Sequence, residues 1–288
     1  MITDQQFQTE LNLIIQNGLR EDVGDGDHSS LACIPDSSIG KAKLLVKDKG
    51  IIAGVEFAKQ IFNTVDKTLV VENLINDGEM VKFGDIAFYV TGAAQSILKA
   101  ERLVLNSMQR MSAIATKTHC FATILKDTNT KILDTRKTTP GFRACEKWAV
   151  KIGGGHNHRF ALYDMIMLKD NHNDFAGGIS KAIQKTKNYL AANNKDLKII
   201  VEARNLNEVQ EILNAEGVYR ILLDNFNFED TKKAVVLIGN KCLTESSGNI
   251  NENTLLEYAN CGVNYISSGA LTHSIYNMDL SLKADFKL

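Results

Sequence analysis

A repeating alternation of short β-type runs and helix-period segments occupies residues 131–274 and constrains the fold more than any other feature. The runs recur at roughly 20–25 residues, a spacing typical of βαβ units in a parallel sheet. Six runs are recognised: Lys131–Asp134, Met165–Leu168, Ile199–Glu202, Arg220–Asp224, Cys242–Glu245 and Tyr265–Ser268. Because these strands occur without a dinucleotide-binding fingerprint, we predict an α/β barrel rather than a doubly wound sheet. No eighth strand is evident, so the barrel is expected to be incomplete.

The residues before this repeat have a different pattern, which predicts a separate α+β region. Residues 4–18 have the apolar spacing of an amphipathic helix, and residues 55–66 have a similar helical period. Short alternating apolar runs at 40–54 and 68–91 predict strands and turns.

Three other segments are interpreted from their composition. A Gly- and Asp-rich segment at 21–30 predicts a loop. A stretch without glycine or proline at 93–127 predicts one long helix or two helices end to end. The tail from residue 276 is too short for a domain, so we expect it to pack on the first region.

The composition is that of a soluble globular protein, with 44% hydrophobic and 23% charged residues. The net charge of -1 lacks the basic excess of a dedicated nucleic-acid binder, so no nucleic-acid partner is expected. Neither a signal peptide nor an apolar run of the ~20 residues that span a bilayer is visible. We therefore expect no membrane association and a cytoplasmic location.

Five cysteines without a Cys-x-x-Cys pair support neither a disulfide framework nor a cysteine zinc site.

Polar or ionisable groups follow the apolar runs directly. These groups are Asp134 through Arg136–Lys137, Lys169–Asp170, Glu202, Asp224–Asn225, Glu245 and Ser267–Gly269. Because the carboxyl ends of barrel strands converge on one mouth, we predict that these groups form the active site. The alternative is that strands simply end where polarity begins, which explains one or two such residues but not five consecutive strands.

The sign of these charges changes along the chain. A basic segment at 131–172 includes Arg136, Lys137, Arg143, Lys147, Lys151, Arg159 and Lys169, together with His156, His158 and His172. The later strand ends supply the carboxylates Glu202 and Asp224, with Glu245 as a third candidate. Arginine binds carboxylates bidentately, and paired carboxylates suit Mg²⁺, which often bridges to substrate phosphate. The pattern therefore predicts a small polyanion and a metal-bound phosphate ester as ligands, with a set of surface salt bridges as the alternative.

Two small-residue loops, Ser246–Gly248 and Ser267–Gly269, suit a phosphate group at the last two strands. The glycine-rich segment Gly153–Arg159 is not a Walker motif, because no Gly-Lys-Ser/Thr follows. A zinc site at His156 and His158 is disfavoured, since no partner ligands have suitable spacing. Anion contact fits the flanking asparagine and arginine better.

Six segments in this order resemble those of quinolinate phosphoribosyltransferases, which are also called nicotinate-nucleotide pyrophosphorylases (carboxylating). The segments are Thr135–Gly141, Gly153–Arg159, Leu168–His172, Leu223–Phe226, Glu245–Gly248 and Ser268–Ser274. The resemblance extends over essentially the whole chain. It implies the formation of nicotinate mononucleotide, CO₂ and pyrophosphate from quinolinate and phosphoribosyl pyrophosphate with Mg²⁺, a step of de novo NAD synthesis.

The same resemblance implies a domain organisation and an assembly. Residues 1–108 would form an α/β sandwich domain, with residues 275–288 packing back onto it. Residues 109–274 would form an incomplete seven-stranded α/β barrel that carries the active site. In the homodimer that the resemblance implies, Arg102 of one subunit would reach the active site of its neighbour.

The resemblance also implies roles for individual residues. The quinolinate carboxylates would be held by Arg136, His158, Arg159 and Lys169. Phosphoribosyl pyrophosphate and its metal would be served by Lys137, Glu202 and Asp224, of which the two acids are the metal ligands. The 5-phosphate would be held by Ser247, Gly248, Ser268 and Gly269. The sequence departs from the family pattern at Asn249, Asn264 and Ser29, where glycine, aspartate and threonine are expected.

Two other functions remain as alternatives. A Schiff-base aldolase would use Lys137 or Lys169 as its nucleophile, but the paired acids and phosphate loops would then have no role. A diverged relative could bind an anion without turnover, although the retained basic and acidic groups argue against this.

Overall fold

The computed structural model describes residues 2–285 of the chain, which group into two compact units. One unit contains Cys120–Lys137 and Gly155–Ala270, and the other contains Thr3–His119, Thr138–Gly154 and the chain from Leu271 onward. The boundary expected after residue 108 stays a prediction. Residues 286–288 of the tail that was expected to pack back lie outside the described residues.

The elements alternate between helices and strands along the whole chain. The first part contains α1 (Asp4–Val23), α2 (His28–Cys33), β1 (Ile39–Val46), β2 (Gly50–Ile51), α3 (Val55–Val65), β3 (Val70–Asn73), β4 (Met80–Val81), β5 (Ile86–Ala93) and α4 (Ala94–Ile124). The next part contains β6 (Lys131–Leu133), α5 (Arg143–Ile152), β7 (Ile166–Leu168), α6 (Asp170–Ala176), α7 (Ile179–Ala192), β8 (Ile199–Ala203) and α8 (Leu206–Ala215). The last part contains β9 (Arg220–Asp224), α9 (Phe228–Ile238), β10 (Leu243–Ser247), α10 (Leu255–Asn260), β11 (Tyr265–Ser267), α11 (Ala270–His273) and β12 (Leu280–Ala284).

An antiparallel sheet of order β12-β1-β5-β3 organises the unit that contains Thr3–His119. Alternate residues of β1 are buried, so Ala42, Leu44 and Val46 lie on one face. Helix α3 packs on this sheet, and its Phe62 meets Phe88 of β5 edge to face with ring centroids 6.0 Å apart. The tail strand β12 pairs with β1 along five residue pairs, so it forms an edge of the sheet.

Two helices of this unit differ from the expectations. Helix α1 begins at a capping box on Thr3 and continues to Val23, and α2 begins after the cap Asp27. The predicted loop at 21–30 is therefore wrong over most of its length, because Gly24 is the first residue with a positive φ.

Helix α4 is a single helix of 31 residues. Within the described part of the chain, no helix is long and apolar enough to cross a membrane.

A parallel sheet of order β6-β11-β10-β9-β8-β7 organises the other unit. All six predicted runs are strands, and the α/β class is confirmed. A seventh segment contributes one parallel bridge, between His156 and Leu133 of β6. The described part of this unit is thus an incomplete α/β barrel of six strands, and a single bridge stands in place of the expected seventh strand. Strand β8, which lies between β9 and β7, is buried along its whole length, as expected for a parallel strand covered on both faces.

Strand pairing brings the carboxyl ends of these strands to the same end of the sheet. Glu202 of β8 pairs with Leu222 of β9, and Asp224 of β9 pairs with Ser247 of β10. Because neighbouring parallel strands lie about 4.8 Å apart, residues at successive strand ends become neighbours. The fold therefore places the polar strand ends side by side.

Replacement of Gly153 should destabilise the unit that contains the antiparallel sheet. A Cβ at this position would overlap the carbonyl oxygen of Ala115 and lie 2.8 Å from Cβ of Thr118. We expect Gly153→Ala to lower the free energy of unfolding by about 1–3 kcal/mol, measured in urea. Gly40→Ala is the control, because its Cβ would make only an ordinary contact at 3.5 Å. Equal stability of the two variants would contradict this packing.

Candidate active site

The predicted site residues other than Arg102 all lie in the barrel unit, at or after strand ends. Arg136 and Lys137 follow β6, Lys169 follows β7, and all three are exposed. The side chains of His158, Arg159, Glu202 and Ser268 are buried. Asp224, Ser247, Gly248 and Gly269 are half-buried. Arg102 is on α4 in the other unit, where its side chain is 64% exposed.

Two carboxylates and a lysine form the acidic part of the site. The Lys169 ammonium lies 3.4 Å from a carboxylate oxygen of Glu202. Burial raises the pKa of Glu202, the nearby charge of Asp224 raises it further, and Lys169 opposes the rise. Glu202 and Asp224 stand at the ends of the adjacent strands β8 and β9, where strand pairing brings them into the same part of the site.

This donor set fits Mg²⁺. Within residues 2–285, no group of three or more His, Cys, Asp or Glu side chains could enclose a metal ion. Mg²⁺ does not need such a group, because it usually binds one or two carboxylates and completes its octahedron with water and substrate phosphate. Glu202 and Asp224 could hold it in this way.

Two guanidinium groups form the cationic part of the site. Arg159 is buried, and its Nη1 donates a hydrogen bond to the carbonyl oxygen of Met165 at 3.1 Å. Burial lowers the pKa of Arg159, and the positive charge of Arg136 lowers it further, against the opposite effect of Asp164. Two adjacent cations, one of them buried, favour the binding of a multiply charged anion.

His158 is enclosed by protein groups. Its Nδ1 accepts a hydrogen bond from the backbone N–H of Arg159 at 2.7 Å, and its Nε2 lies 3.4 Å from Glu245. Glu245 is fully buried and also accepts a hydrogen bond from Arg220 at 2.6 Å. Burial raises the pKa of Glu245, but the contact with His158 and the ion pair with Arg220 outweigh this effect and hold the pKa at about 2. Glu245 is therefore paired with protein groups, unlike the more accessible Asp224.

The loop after β10 is packed tightly against Asn225. Gly248 has φ +101°, and a Cβ there would overlap the amide oxygen of Asn225 and lie 3.0 Å from its backbone nitrogen. Only glycine accommodates both the backbone conformation and this approach. Asn249 also has a positive φ, of 51°, which asparagine tolerates, and its amide donates to Asn225 Oδ1 at 3.4 Å.

The groups of Ser268 that could donate to a phosphate are engaged within the barrel. Its backbone N–H donates to the carbonyl oxygen of Leu133 at 3.1 Å, and its hydroxyl donates to that of Ile250 at 3.3 Å. The loop carrying Ser268 is thus held rigidly beside β6.

Three residues that hold the site in place were not among the predicted site residues. Asn225 Nδ2 donates to Asp224 at 2.9 Å, His172 Nδ1 accepts from the backbone N–H of Lys169 at 3.1 Å, and Arg220 binds Glu245. The available signals were an asparagine directly after Asp224, a histidine three residues after Lys169, and an arginine at the first position of an apolar run.

Comparisons with known proteins agree over nearly the full chain. Residues 27–112 match the family model of the quinolinate phosphoribosyl transferase N-terminal domain, and residues 114–283 match that of the C-terminal domain. A quinolinate phosphoribosyltransferase [decarboxylating] of Nicotiana tabacum is 45% identical, covering 97% of this chain and 83% of the relative. A probable nicotinate-nucleotide pyrophosphorylase [carboxylating] of Bacillus subtilis is 38% identical, covering 95% and 93%. The structure of the nicotinate-nucleotide pyrophosphorylase from Francisella tularensis has a TM-score of 0.88 at 36% identity, covering 96% of each chain.

An incomplete α/β barrel with adjoining cationic and acidic strand ends defines an enzyme of the barrel class that acts on anions. The matches to both domain models and to relatives above 30% identity make the assignment specific. The chain belongs to the quinolinate phosphoribosyltransferase family.

The Glu202→Gln variant tests whether this buried carboxylate costs folding free energy. Because the folded-state pKa of Glu202 is raised, the charged side chain disfavours folding once the pH exceeds that pKa. We expect Glu202→Gln to be more stable than the parent in urea at neutral pH. The gain should disappear below pH ~4.3, where the acid is protonated in both states.

The exposed Glu229→Gln is the control, and its free energy of unfolding should change by less than about 0.5 kcal/mol at either pH. A Glu202→Gln variant that loses stability at neutral pH would show that Lys169 more than compensates the burial.

Proposed function

We propose that the chain transfers the phosphoribosyl group of phosphoribosyl pyrophosphate to quinolinate with loss of CO₂. The products are nicotinate mononucleotide and pyrophosphate, in a step of NAD biosynthesis. The main structural support is the placement of Arg136 after β6 and of a buried Arg159 in the same unit, together with Glu202 and Asp224 at the ends of the adjacent strands β8 and β9. A dicarboxylate suits the first pair, and a metal-bound pyrophosphate suits the second.

Quinolinate would bind through its two carboxylates. Arg136, Arg159 and Lys169 supply the charges, and the buried Arg159 offers the least hydrated of them. His158 was expected to contact the carboxylates as well. Its two ring nitrogens face Arg159 and Glu245, which favours an indirect contribution.

The transfer step breaks the ribose C1–O bond, and the bonding pair leaves on pyrophosphate while positive charge builds on the ribose. Glu202 and Asp224 would hold Mg²⁺, which when bound neutralises charge on the pyrophosphate. Lys137 would add a second positive charge to the leaving group, and the two carboxylates would stabilise the ribose cation. The lone pair of the quinolinate ring nitrogen forms the new bond to C1, so no general base is required.

Decarboxylation follows from the charge on the alkylated ring. The bond from ring carbon C2 to its carboxylate breaks, and its electron pair stays on C2 beside the cationic nitrogen. A proton from water then neutralises C2. The 5-phosphate would remain anchored through the loops that carry Ser247, Gly248 and Gly269, while Ser268, whose donors are engaged within the barrel, would hold its loop in place.

The aldolase alternative is less well supported. A Schiff-base lysine needs an apolar or cation-crowded environment to lose its proton. Lys169 is 48% exposed and lies 3.4 Å from a carboxylate, which is the opposite environment. Borohydride trapping with a sugar phosphate should therefore label neither Lys137 nor Lys169.

Two further expectations complete the proposal. The enzyme would be a homodimer in which Arg102 enters the partner's active site, a role supported by its exposure on α4. A cytoplasmic location stays a prediction, since relatives from Oryza sativa and Nicotiana glauca are named chloroplastic and mitochondrial. Cell fractionation would test it.

Removal of one carboxylate-binding cation should weaken quinolinate binding. Because a charge-assisted hydrogen bond contributes about 1.5–3 kcal/mol, we expect Arg136→Ala or Lys169→Ala to raise the quinolinate KM about 10- to 100-fold. Lys233→Ala on α9 is the control and should leave KM unchanged. Parent enzyme that turns over nicotinic acid but not quinolinate would overturn the proposed function, and normal quinolinate binding by both site variants in calorimetry would overturn the residue assignment.

Mixing of two inactive variants tests the role of Arg102. At quinolinate concentrations well below the KM of the variants, Arg102→Ala and Lys169→Ala should each have little activity, because each removes a group from every site. Random mixed dimers contain one intact site each, so the mixture should regain about a quarter of the parent activity. No recovery, with exchange of subunits verified by mass spectrometry, would place Arg102 outside the neighbouring site.

A further inference from the structure

Buried side-chain contacts link strands β9 and β10 to the segment that carries His158. Arg220 at the start of β9 donates to Glu245 Oε2 at 2.6 Å, and the same oxygen lies 3.4 Å from His158 Nε2. The side chain of Glu245 is completely buried, and those of Arg220 and His158 are 7% and 6% exposed. Well-packed apolar residues often replace such pairs without loss of stability, so stability alone does not account for this one.

The contacts of the His158 ring indicate which of its nitrogens carries the proton. Its Nδ1 accepts the backbone N–H of Arg159 at 2.7 Å, so this nitrogen presents a lone pair. The ring proton therefore lies on Nε2, the nitrogen that faces Glu245. The backbone N–H of His158 is held in turn by Asp134 Oδ1 at 2.8 Å.

Arg159 is consequently fixed at two points. The His158 ring holds its backbone, and the carbonyl oxygen of Met165 holds its guanidinium at 3.1 Å. The positive charge of Arg136 also acts on this guanidinium, in the cationic part of the site. Small rotations of the His158 ring would therefore move the buried cation that meets the substrate anion.

We propose that Glu245 is a positioning residue for the cationic part of the site. Its carboxylate, which Arg220 anchors, orients the His158 ring. The ring in turn fixes the backbone of Arg159, so that His158 acts through Arg159 rather than as a direct ligand. This inference rests on the proposed function for its kinetic test, but not for its spectroscopic one.

The kinetic test compares the two substrates in the Glu245→Gln variant. Loss of a residue that orients a ligand typically costs 10- to 100-fold, so the quinolinate KM should rise about tenfold or more. The KM for phosphoribosyl pyrophosphate should change less than twofold. Asp77→Asn is the control, because Asp77 accepts two backbone hydrogen bonds at the start of α3 and should affect stability alone. An equal rise of both KM values, or a change in thermal stability only, would overturn the proposal.

A second variant covers the case in which Glu245→Gln does not fold. The double variant Arg220→Met with Glu245→Met replaces the ion pair with apolar groups of similar volume. It should show the same selective rise in quinolinate KM, and unchanged KM values would overturn the proposal.

The spectroscopic test uses the substrate-free parent protein with ¹⁵N-labelled histidine. The His158→Asn variant identifies the His158 resonances among those of the six histidines. A proton on Nε2 and none on Nδ1 is expected, and a proton on Nδ1 would overturn the proposal. If the parent does not turn over quinolinate, the proposed function fails, while this spectrum still decides the position of the ring proton.

Discussion

The parallel pairing of six strands in register is the constraint on which the rest of the structure depends. Because all six strands run in the same direction, their carboxyl ends meet at one edge. The pairing of Asp224 with Ser247, and of Glu202 with Leu222, places acids and a phosphate-type loop side by side. A shift of one residue in any strand would turn its side chains to the opposite face of the sheet.

The charges of the barrel unit are held in two different ways. Glu245 is buried but paired, so its pKa is held at about 2. Glu202 and Arg159 are also buried, yet the pKa of the acid is raised and that of the guanidinium is lowered. Incompletely compensated charges of this kind cluster at functional sites, where a bound ligand of opposite charge completes the pairing. The barrel unit thus contains one buried acid that is paired, Glu245, and two buried charged groups, Glu202 and Arg159, that are incompletely paired.

Much of the architecture could be predicted because hydrophobic periodicity is a local property. All six β-type runs became strands, and the helix expected at 55–66 is α3. The loop expected at 21–30 was wrong because the helix continues through Glu21 and Asp22 until Gly24 adopts a positive φ. Helix boundaries depend on single residues in this way, whereas a periodic pattern averages over many.

By itself, the sequence determined the α/β class, the strand order along the chain and the residues that stand at the strand ends. These follow from local period and from motif order, which need no knowledge of distant contacts. Only the tertiary structure decided that Arg220 meets Glu245, that Glu245 faces His158, and that Asn225 lies over Gly248. Those contacts depend on strand register and side-chain direction between residues far apart in the chain. No local pattern encodes them, because the same residues in another register would face different neighbours.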